Sequence, residues 1–131
     1  MKKIGIGIVG SKFAADFHCD SYARNDKVDL LAVAAIDNLE EISKKWKIPY
    51  VYEDYREMLK RDDIDLVSVC VPNFLHHDVA IAAARAGKHV LCEKPLSTTV
   101  ADAKEVVKVC KKEGVKLFYA EDWCFAPALQ R

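Results

Sequence analysis

The chain has 131 residues, and its 20 basic and 20 acidic side chains give a formal net charge of zero at pH 7. This length fits one domain with a hydrophobic core but not two ordinary domains. The balanced charge, without a long run of either sign, excludes the electrostatic footprint of a nucleic-acid-binding protein and indicates a small-molecule partner.

The hydropathy pattern predicts no membrane segment. The first residues resemble a signal peptide only superficially, because the apolar run Ile4–Gly10 is short, rich in glycine and soon followed by Lys12. The longest uncharged stretch, residues 66–77, is interrupted by Pro72 and is too short to span a bilayer. Five cysteines without a Cys-x-x-Cys pair argue against a disulfide framework and a zinc site. We therefore expect a soluble, cytoplasmic protein with buried, reduced thiols and no metal.

Short apolar runs alternate along the chain with segments of helical periodicity, which predicts βαβ units. The predicted strands are residues 3–9, 28–36, 50–52, 66–71, 89–92 and 116–120, and the first two helices are residues 14–24 and 39–46. Several strands are almost continuous in apolar residues, as expected when helices cover both faces of a sheet. The sequence therefore predicts an α/β domain with a doubly wound parallel sheet of about six strands.

Capping signals agree with this alternation of strands and helices. Asp54 and Thr99 each precede an acidic residue three positions later, a pattern typical of helix starts. Gly87 and Gly114 lie where two of the helices would end.

The first strand leads into a candidate phosphate loop. Gly5, Gly7 and Gly10 match Gly-x-Gly-x-x-Gly, but we reject that register because it places the motif inside the strand. Counted from Gly10, the fingerprint carries Lys12 at its middle glycine position and an alanine at its third. Lys12 either contributes an ammonium group to a bound diphosphate, which we favour, or weakens nucleotide binding.

An acidic residue follows the second strand. Asp37 lies about two dozen residues after the loop, where a carboxylate accepts hydrogen bonds from a ribose diol. The same carboxylate would repel a 2′-phosphate, and no arginine follows it directly, so we predict NAD, with NADP less favoured. The alternative role for Asp37 is to cap the helix 39–46, which Asn38 could do instead.

Polar residues also follow the fourth strand. In a doubly wound order Val71, Pro72 and Asn73 would lie beside the first loop, in the crevice where the strand order reverses. Asn73 could bind a ribose or cap the next helix. His76 and His77 open that helix, where a histidine is more often structural than a ligand.

Three residues, Glu93, Lys94 and Pro95, follow the apolar run 90–92 that ends the predicted fifth strand. An acid beside an amine at such an edge can hold a cofactor or a substrate hydroxyl, and the proline restricts the backbone of Lys94. Alone, the triplet could be a charged turn. Together with the loop, Asp37 and the turn after strand four, it points to a nucleotide site.

These segments together resemble the Gfo/Idh/MocA family, the relatives of glucose-fructose oxidoreductase and inositol dehydrogenase. The resemblance spans essentially the whole chain, and Glu93-Lys94-Pro95 is its most specific element. It implies a nicotinamide-dependent oxidoreductase that moves a hydride between the cofactor and a carbon of a sugar, polyol or related hydroxyl compound. By this resemblance Lys94 would be catalytic, as part of the proton relay at the reacting hydroxyl, and Glu93 would help position the nicotinamide end.

The predicted cofactor site combines the loop, the ribose-binding acid, the turn after strand four and the turn after strand five. Its members are Gly10, Ser11, Lys12, Phe13, Ala14, Asp37, Asn38, Val71, Pro72, Asn73, His76, Glu93, Lys94 and Trp123. After strand six the Phe125 and Pro127 spacing matches the family, whereas the expected basic residue is missing. Trp123 would pack beside the nicotinamide pocket or fill the core.

The resemblance also implies a larger second domain that supplies substrate contacts and an acid/base histidine. We expect residues 1–131 to be the dinucleotide-binding half alone, either truncated or naturally short, which binds nucleotide but turns over poorly. The uncovered face predicts an exposed apolar patch near Leu96, Trp123 and Phe125, and with it a homo-oligomer.

Two other functions stay open at this point. The chain could be a non-catalytic nucleotide-binding or sensing module. Less favoured is an S-adenosylmethionine-binding domain, since methyltransferases also place an acid after their second strand.

Overall fold

The computed structural model describes residues 1–129, which form a six-stranded, fully parallel sheet in the order β3-β2-β1-β4-β5-β6. The chain moves outward from β1 to β3, returns to place β4 beside β1, and then moves outward in the other direction. This confirms the predicted doubly wound α/β fold. The strands are β1 Ile4–Val9, β2 Val28–Ala34, β3 Tyr50–Tyr52, β4 Leu66–Val69, β5 His89–Glu93 and β6 Leu117–Ala120.

Five α-helices connect these strands. They are α1 Phe13–Ala23, α2 Leu39–Trp46, α3 Tyr55–Leu59, α4 His76–Arg85 and α5 Val100–Lys112. Short 3₁₀ turns, which the sequence analysis did not predict, cover Asn73–Leu75, Trp123–Phe125 and Pro127–Leu129. None of the helices in the described part of the chain has the length and apolar character needed to cross a membrane.

The helices cover both faces of the sheet because successive strand residues point to opposite sides. On one face, Ile6 and Ile8 of β1 pack with Ala15 and Cys19 of α1 and with Ile42 of α2. On the other face, α3, α4 and α5 bury the opposite side of the central strands. The two cores hold the carboxyl ends of β1 and β4 side by side.

Two predicted strands end earlier than the sequence suggested. β2 stops at Ala34, where the ladder closes with the Ala35 N–H donating to the Tyr52 carbonyl oxygen. Ile36, which we had placed inside the strand, is 94% exposed, so its apolar character gave a wrong strand end. β4 likewise stops at Val69, two residues before the predicted end.

The predicted helix caps are confirmed. Asp54 accepts a hydrogen bond from the Arg56 N–H at 2.9 Å, and Thr99 accepts one from the Asp102 N–H at 3.1 Å. Gly87 and Gly114 follow α4 and α5 with φ of 75° and 70°, conformations that favour glycine.

No disulfide joins cysteines within residues 1–129, and four of these cysteines are buried. Burial raises the pKa of the Cys19 and Cys92 thiols to about 12, which keeps them protonated. The expectation that every thiol is buried is wrong for Cys124, which is exposed after β6 because the chain has left the sheet there.

Candidate functional site

The sheet has its switch point between β1 and β4, whose following connections run in opposite directions. Parallel strands with this reversal leave a crevice beyond their carboxyl ends, and such crevices bind ligands in open α/β sheets. Val9 and Val69, the last residues of the two strands, pair directly across this point. We call the space beyond them the switch-point crevice.

Gly10 starts the loop at this crevice, and no other residue fits there. Its φ is 122°, and a Cβ atom at this position would lie 2.3 Å from the Cys70 carbonyl oxygen. Its N–H donates to the Ala34 carbonyl oxygen at 2.8 Å. Gly5 and Gly7, by contrast, lie inside β1, which agrees with the rejection of their register.

The loop leads into the N-terminus of α1. Lys12 is the N-cap residue, in an extended conformation and without a side-chain capping bond. The N–H groups of Phe13, Ala14 and Ala15 therefore lie in the first turn, where helix geometry provides no backbone acceptor. Such a helix end attracts an anion, through its free donors and through the helix dipole. The Phe13 side chain itself is exposed.

Lys12, Ser11 and Asp37 form a polar cluster beside the loop. The Lys12 ammonium lies 3.0 Å from one Asp37 carboxylate oxygen, and the Ser11 hydroxyl donates to the other at 2.9 Å. These contacts, that of Lys12 first, hold the pKa of Asp37 below its usual value. The ammonium therefore lies beside the predicted ribose-binding acid, a position that the sequence analysis did not anticipate.

The alternative helix-capping role of this segment is not observed. Asn38 precedes α2 in a left-handed conformation, with φ 51°, and neither it nor Asp37 makes a side-chain capping bond. Both side chains are exposed at the sheet edge. The Asp37 side chain is 46% exposed, so a ligand can still reach its carboxylate.

The turn after β4 forms the other side of the crevice. Val71 is half-buried against the core, whereas Pro72 and Asn73 are exposed. α4 begins at His76 with Leu75 as its N-cap residue and without a side-chain capping bond. The capping alternative for Asn73 is therefore wrong, because the 3₁₀ turn moves the start of α4 beyond it.

His76 lies under this turn and is only 1% exposed. Its Nδ1 lies 2.5 Å from the Pro95 carbonyl oxygen and its Nε2 lies 2.8 Å from the Val71 carbonyl oxygen. Both ring nitrogens thus face backbone inside the protein, so we correct the prediction that His76 binds the cofactor. Through these two contacts, His76 links the turn after β4 to the turn after β5.

Glu93 ends β5, and its carboxylate is held from two sides. One oxygen accepts from the Lys94 N–H at 3.2 Å, and the other lies 2.9 Å from Nε2 of His18. His18 belongs to α1, 75 residues away in the sequence. Sequence analysis missed this residue. The available signal was its position on the second turn of the helix that follows the phosphate loop.

Lys94 and Pro95 continue this turn at the protein surface. The Lys94 side chain is exposed. Leu96, which we had placed in an exposed patch, packs against the core instead. Trp123 and Phe125 are 68% and 74% exposed, so the core-filling alternative for Trp123 is wrong.

A cluster of possible metal ligands lies outside the crevice, where α4 meets α5. Ligand atoms of His77, Asp102 and Glu105 all lie within 4.8 Å of one another. The two ring nitrogens of His77 already lie 2.8 Å from Asp78 and 3.0 Å from Glu105. These carboxylates, Asp78 first, raise the pKa of His77. The arrangement therefore suits an imidazolium between carboxylates, and we describe the cluster as an ion pair.

Comparison with known proteins identifies a family of nucleotide-binding oxidoreductases to which this chain is similar. Residues 4–121 match GFO_IDH_MocA, described as an oxidoreductase family with an NAD-binding Rossmann fold. The chain is 34% identical over 115 residues to the myo-inositol 2-dehydrogenase of Thermotoga maritima, covering 86% of this chain and 34% of that protein. It is 31% identical to the NADP(+)-dependent scyllo-inositol 2-dehydrogenase IolU of Bacillus subtilis, covering 95% of this chain and 38% of that protein.

A solved structure shows the same fold with a ligand present. The WlbA dehydrogenase of Bordetella pertussis, in complex with NADH and UDP-GlcNAcA, superposes with a TM-score of 0.93 at 28% identity. The match covers 98% of this chain and 40% of that one. The chain spans about a third of the length of the curated relatives it matches.

Proposed function

The chain belongs to the Gfo/Idh/MocA oxidoreductase family, and from this premise we propose that it is the dinucleotide-binding domain of a sugar or polyol dehydrogenase. The observation that carries the proposal is the grouping of Ser11, Lys12 and Asp37 beside the Gly10 loop, at the switch point of the sheet. A dinucleotide needs an anion site and a ribose-binding acid in this arrangement. We further propose that residues 1–131 form this domain only, and that substrate contacts come from a second domain.

The residues present fit NAD. The unpartnered N–H groups at the start of α1 would hold the diphosphate, with Gly10 allowing the close approach of β1 and β4. Asp37 would accept hydrogen bonds from the adenosine ribose, and the exposed amide of Asn73 is available on the far side of the crevice. Glu93 and Lys94 lie at the next strand end, where the nicotinamide half would bind.

The proposed chemistry is the oxidation of a secondary alcohol or the reverse reduction. The bound nicotinamide supplies the hydride acceptor or donor. In the oxidation, Lys94 would take the proton of the substrate hydroxyl as a neutral amine and become an ammonium group; in the reduction, the ammonium group would return that proton. Arginine cannot fill this role, because its guanidinium does not lose its proton in proteins. Glu93, fixed by the Lys94 N–H and by His18, would orient the ligand beside it.

Calorimetric titration with NAD tests the proposed site. Asp37→Ala should weaken NAD binding by about tenfold or more, because a charged acceptor for the ribose diol is lost. Asp29→Ala is the matched control, since Asp29 is also an exposed acid on the β2 segment, paired with Lys3 at 2.9 Å, but lies away from the crevice. This control should bind NAD as the unchanged protein does.

Absence of NAD binding by the unchanged chain, or equal affinity in the Asp37 and Asp29 variants, would overturn the assignment. S-adenosylmethionine, titrated in parallel, should not bind, because the family match favours a nicotinamide dinucleotide. The non-catalytic alternative is tested separately, by measuring NAD reduction with sugars and polyols in a protein that also carries the second domain.

A further inference from the structure

We propose that His18 is a positioning residue of the cofactor site, which holds the Glu93 carboxylate across the switch-point crevice and thereby fixes the nicotinamide end. This inference rests on the proposed function and deepens it. It concerns a residue that does not itself need to touch the cofactor.

The contact between the two side chains is short and sheltered. His18 Nε2 lies 2.9 Å from the Glu93 carboxylate, and the two side chains are only 11% and 21% exposed. Hydrogen bonds to charged groups are stronger than neutral ones, and partial burial reduces their screening by solvent. This bond therefore restrains both side chains more than the exposed ion pairs of this domain restrain theirs.

The direction of the bond shows which ring nitrogen of His18 donates. A carboxylate can only accept, so Nε2 carries the hydrogen. The other Glu93 oxygen accepts from the Lys94 N–H at 3.2 Å. Because Glu93 bonds to both, His18 of α1 is linked through a single carboxylate to the backbone of Lys94, the proposed acid/base.

The histidine is itself held in place by its neighbours. Its ring meets the Tyr22 ring edge to face, with centroids 6.3 Å apart, and the Tyr22 hydroxyl bonds to Ser68 of β4 at 2.5 Å. Cys19, the next residue along α1, is buried in the core. His18 therefore approaches Glu93 from a rigid helix face, as a positioning residue requires.

The consequence for the ligand follows from the topology. The diphosphate would bind at the N-terminus of α1, whereas the nicotinamide would bind at the end of β5, on the other side of the switch point. The His18–Glu93 bond is a direct side-chain link between these two elements. Its loss should disturb the nicotinamide half and leave the adenosine half unchanged.

Comparing the affinities for NAD and for ADP separates the nicotinamide half of the site from the adenosine half. Calorimetry of His18→Leu should show about tenfold weaker NAD binding, the size expected for one charged hydrogen bond, with ADP affinity unchanged within about twofold. His18→Gln places an amide N–H near the position of Nε2, so it should restore most of the NAD affinity. Glu93→Gln should show the same selective loss, and adding His18→Leu to it should cost little more.

Asp20→Asn is the control for general damage to α1. It weakens the exposed Asp20–Arg24 ion pair of the same helix and leaves His18 and Tyr22 as they are, so the ratio of NAD to ADP affinity should not change. If His18→Leu binds NAD and ADP in the same ratio of affinities as the unchanged protein, the inference is overturned. The proposed function would stay intact. Failure of the unchanged chain to bind either nucleotide overturns the proposed function instead. Should His18→Leu not fold, His18→Phe decides by the same ratio, because it keeps an aromatic ring beside Tyr22 but offers no donor to Glu93.

Discussion

The side chain of Lys12 replaces a glycine of the usual phosphate-loop fingerprint, and its ammonium lies 3.0 Å from the Asp37 carboxylate. An acid at this position normally favours NAD because it repels a 2′-phosphate. A cation beside the acid offsets part of that repulsion. In the proposed site, Lys12 would therefore bring a positive charge to the place where a 2′-phosphate distinguishes NADP from NAD.

Replacing Lys12 should increase the preference for NAD. In Lys12→Met, we expect NADP affinity to fall several-fold more than NAD affinity, because Asp37 then repels the 2′-phosphate without compensation. Calorimetric titration with both cofactors at low salt measures this ratio. Lys3→Met, which breaks the comparable Lys3–Asp29 pair, should leave it unchanged. If NAD and NADP weaken equally, the ammonium acts on the diphosphate instead.

Individual side-chain contacts of this kind could not be predicted from the sequence. The positions of Gly10, Asp37 and Glu93 at the carboxyl edge of the sheet could be predicted because each lies at or shortly after the end of a strand, at a spacing that the fold dictates. The His18–Glu93 bond could not, since it joins residues 75 apart whose side chains meet only once α1 has packed on the sheet. The buried place of His76 was missed for the same reason.

Among the elements, α4 and α5 are joined by an ion pair that depends on pH. His77, in the first turn of α4, lies 3.0 Å from Glu105 of α5. Asp78 and then Glu105 raise the pKa of His77 above its usual value of 6.5. The folded state therefore binds the proton more tightly than the unfolded state does.

This linkage predicts the sign of a pH effect on stability. The His77 contribution is fully present below pH 6.5, its unfolded pKa, and is lost as the pH rises through the higher folded pKa. His77→Gln should lower the free energy of unfolding by about 0.5–1 kcal/mol near pH 6, since the partner carboxylates are partly exposed, and by much less near pH 9. Urea denaturation at the two pH values measures the difference.

The control for this experiment is Lys44→Gln. It removes the exposed Lys44–Glu40 ion pair, which contains no histidine. A destabilisation by His77→Gln that is the same at both pH values would contradict the linkage.

At this scale most of the fold was predictable. Buried parallel strands carry continuous apolar runs, so all six strands were predicted in their correct places. The end of β2 was wrong because Ile36 is apolar but exposed, and only the pairing of Ala35 with Tyr52 shows where the ladder stops. The 3₁₀ turns are three residues long, too short to have a periodicity.

At the scale of the whole molecule, the reactivity of the thiols shows whether the two hydrophobic cores stay closed to solvent. Cys19 and Cys70 belong to one core, Cys92 and Cys110 to the other, and Cys124 is exposed. Thiolates react whereas thiols do not, and burial raises the pKa of each core cysteine.

We therefore expect a single fast-reacting thiol in the native protein. Ellman's reagent at about pH 8 should modify one cysteine rapidly and the other four only at the rate of unfolding or in denaturant. Cys124→Ser should remove the fast phase, whereas Cys110→Ser should leave it. Rapid modification of two or more thiols in the native protein would show that a core opens readily.

The close approach of the Gly10 and Cys70 backbones affects how a ligand would bind. A Cβ atom at Gly10 would lie 2.3 Å from the Cys70 carbonyl oxygen, so the backbone of the first loop packs directly against the backbone that follows β4. A dinucleotide would therefore bind to a preorganised loop, and little of its binding energy would go into ordering the backbone. In the proposed dehydrogenase, the choice of substrate would then depend on segments outside this loop.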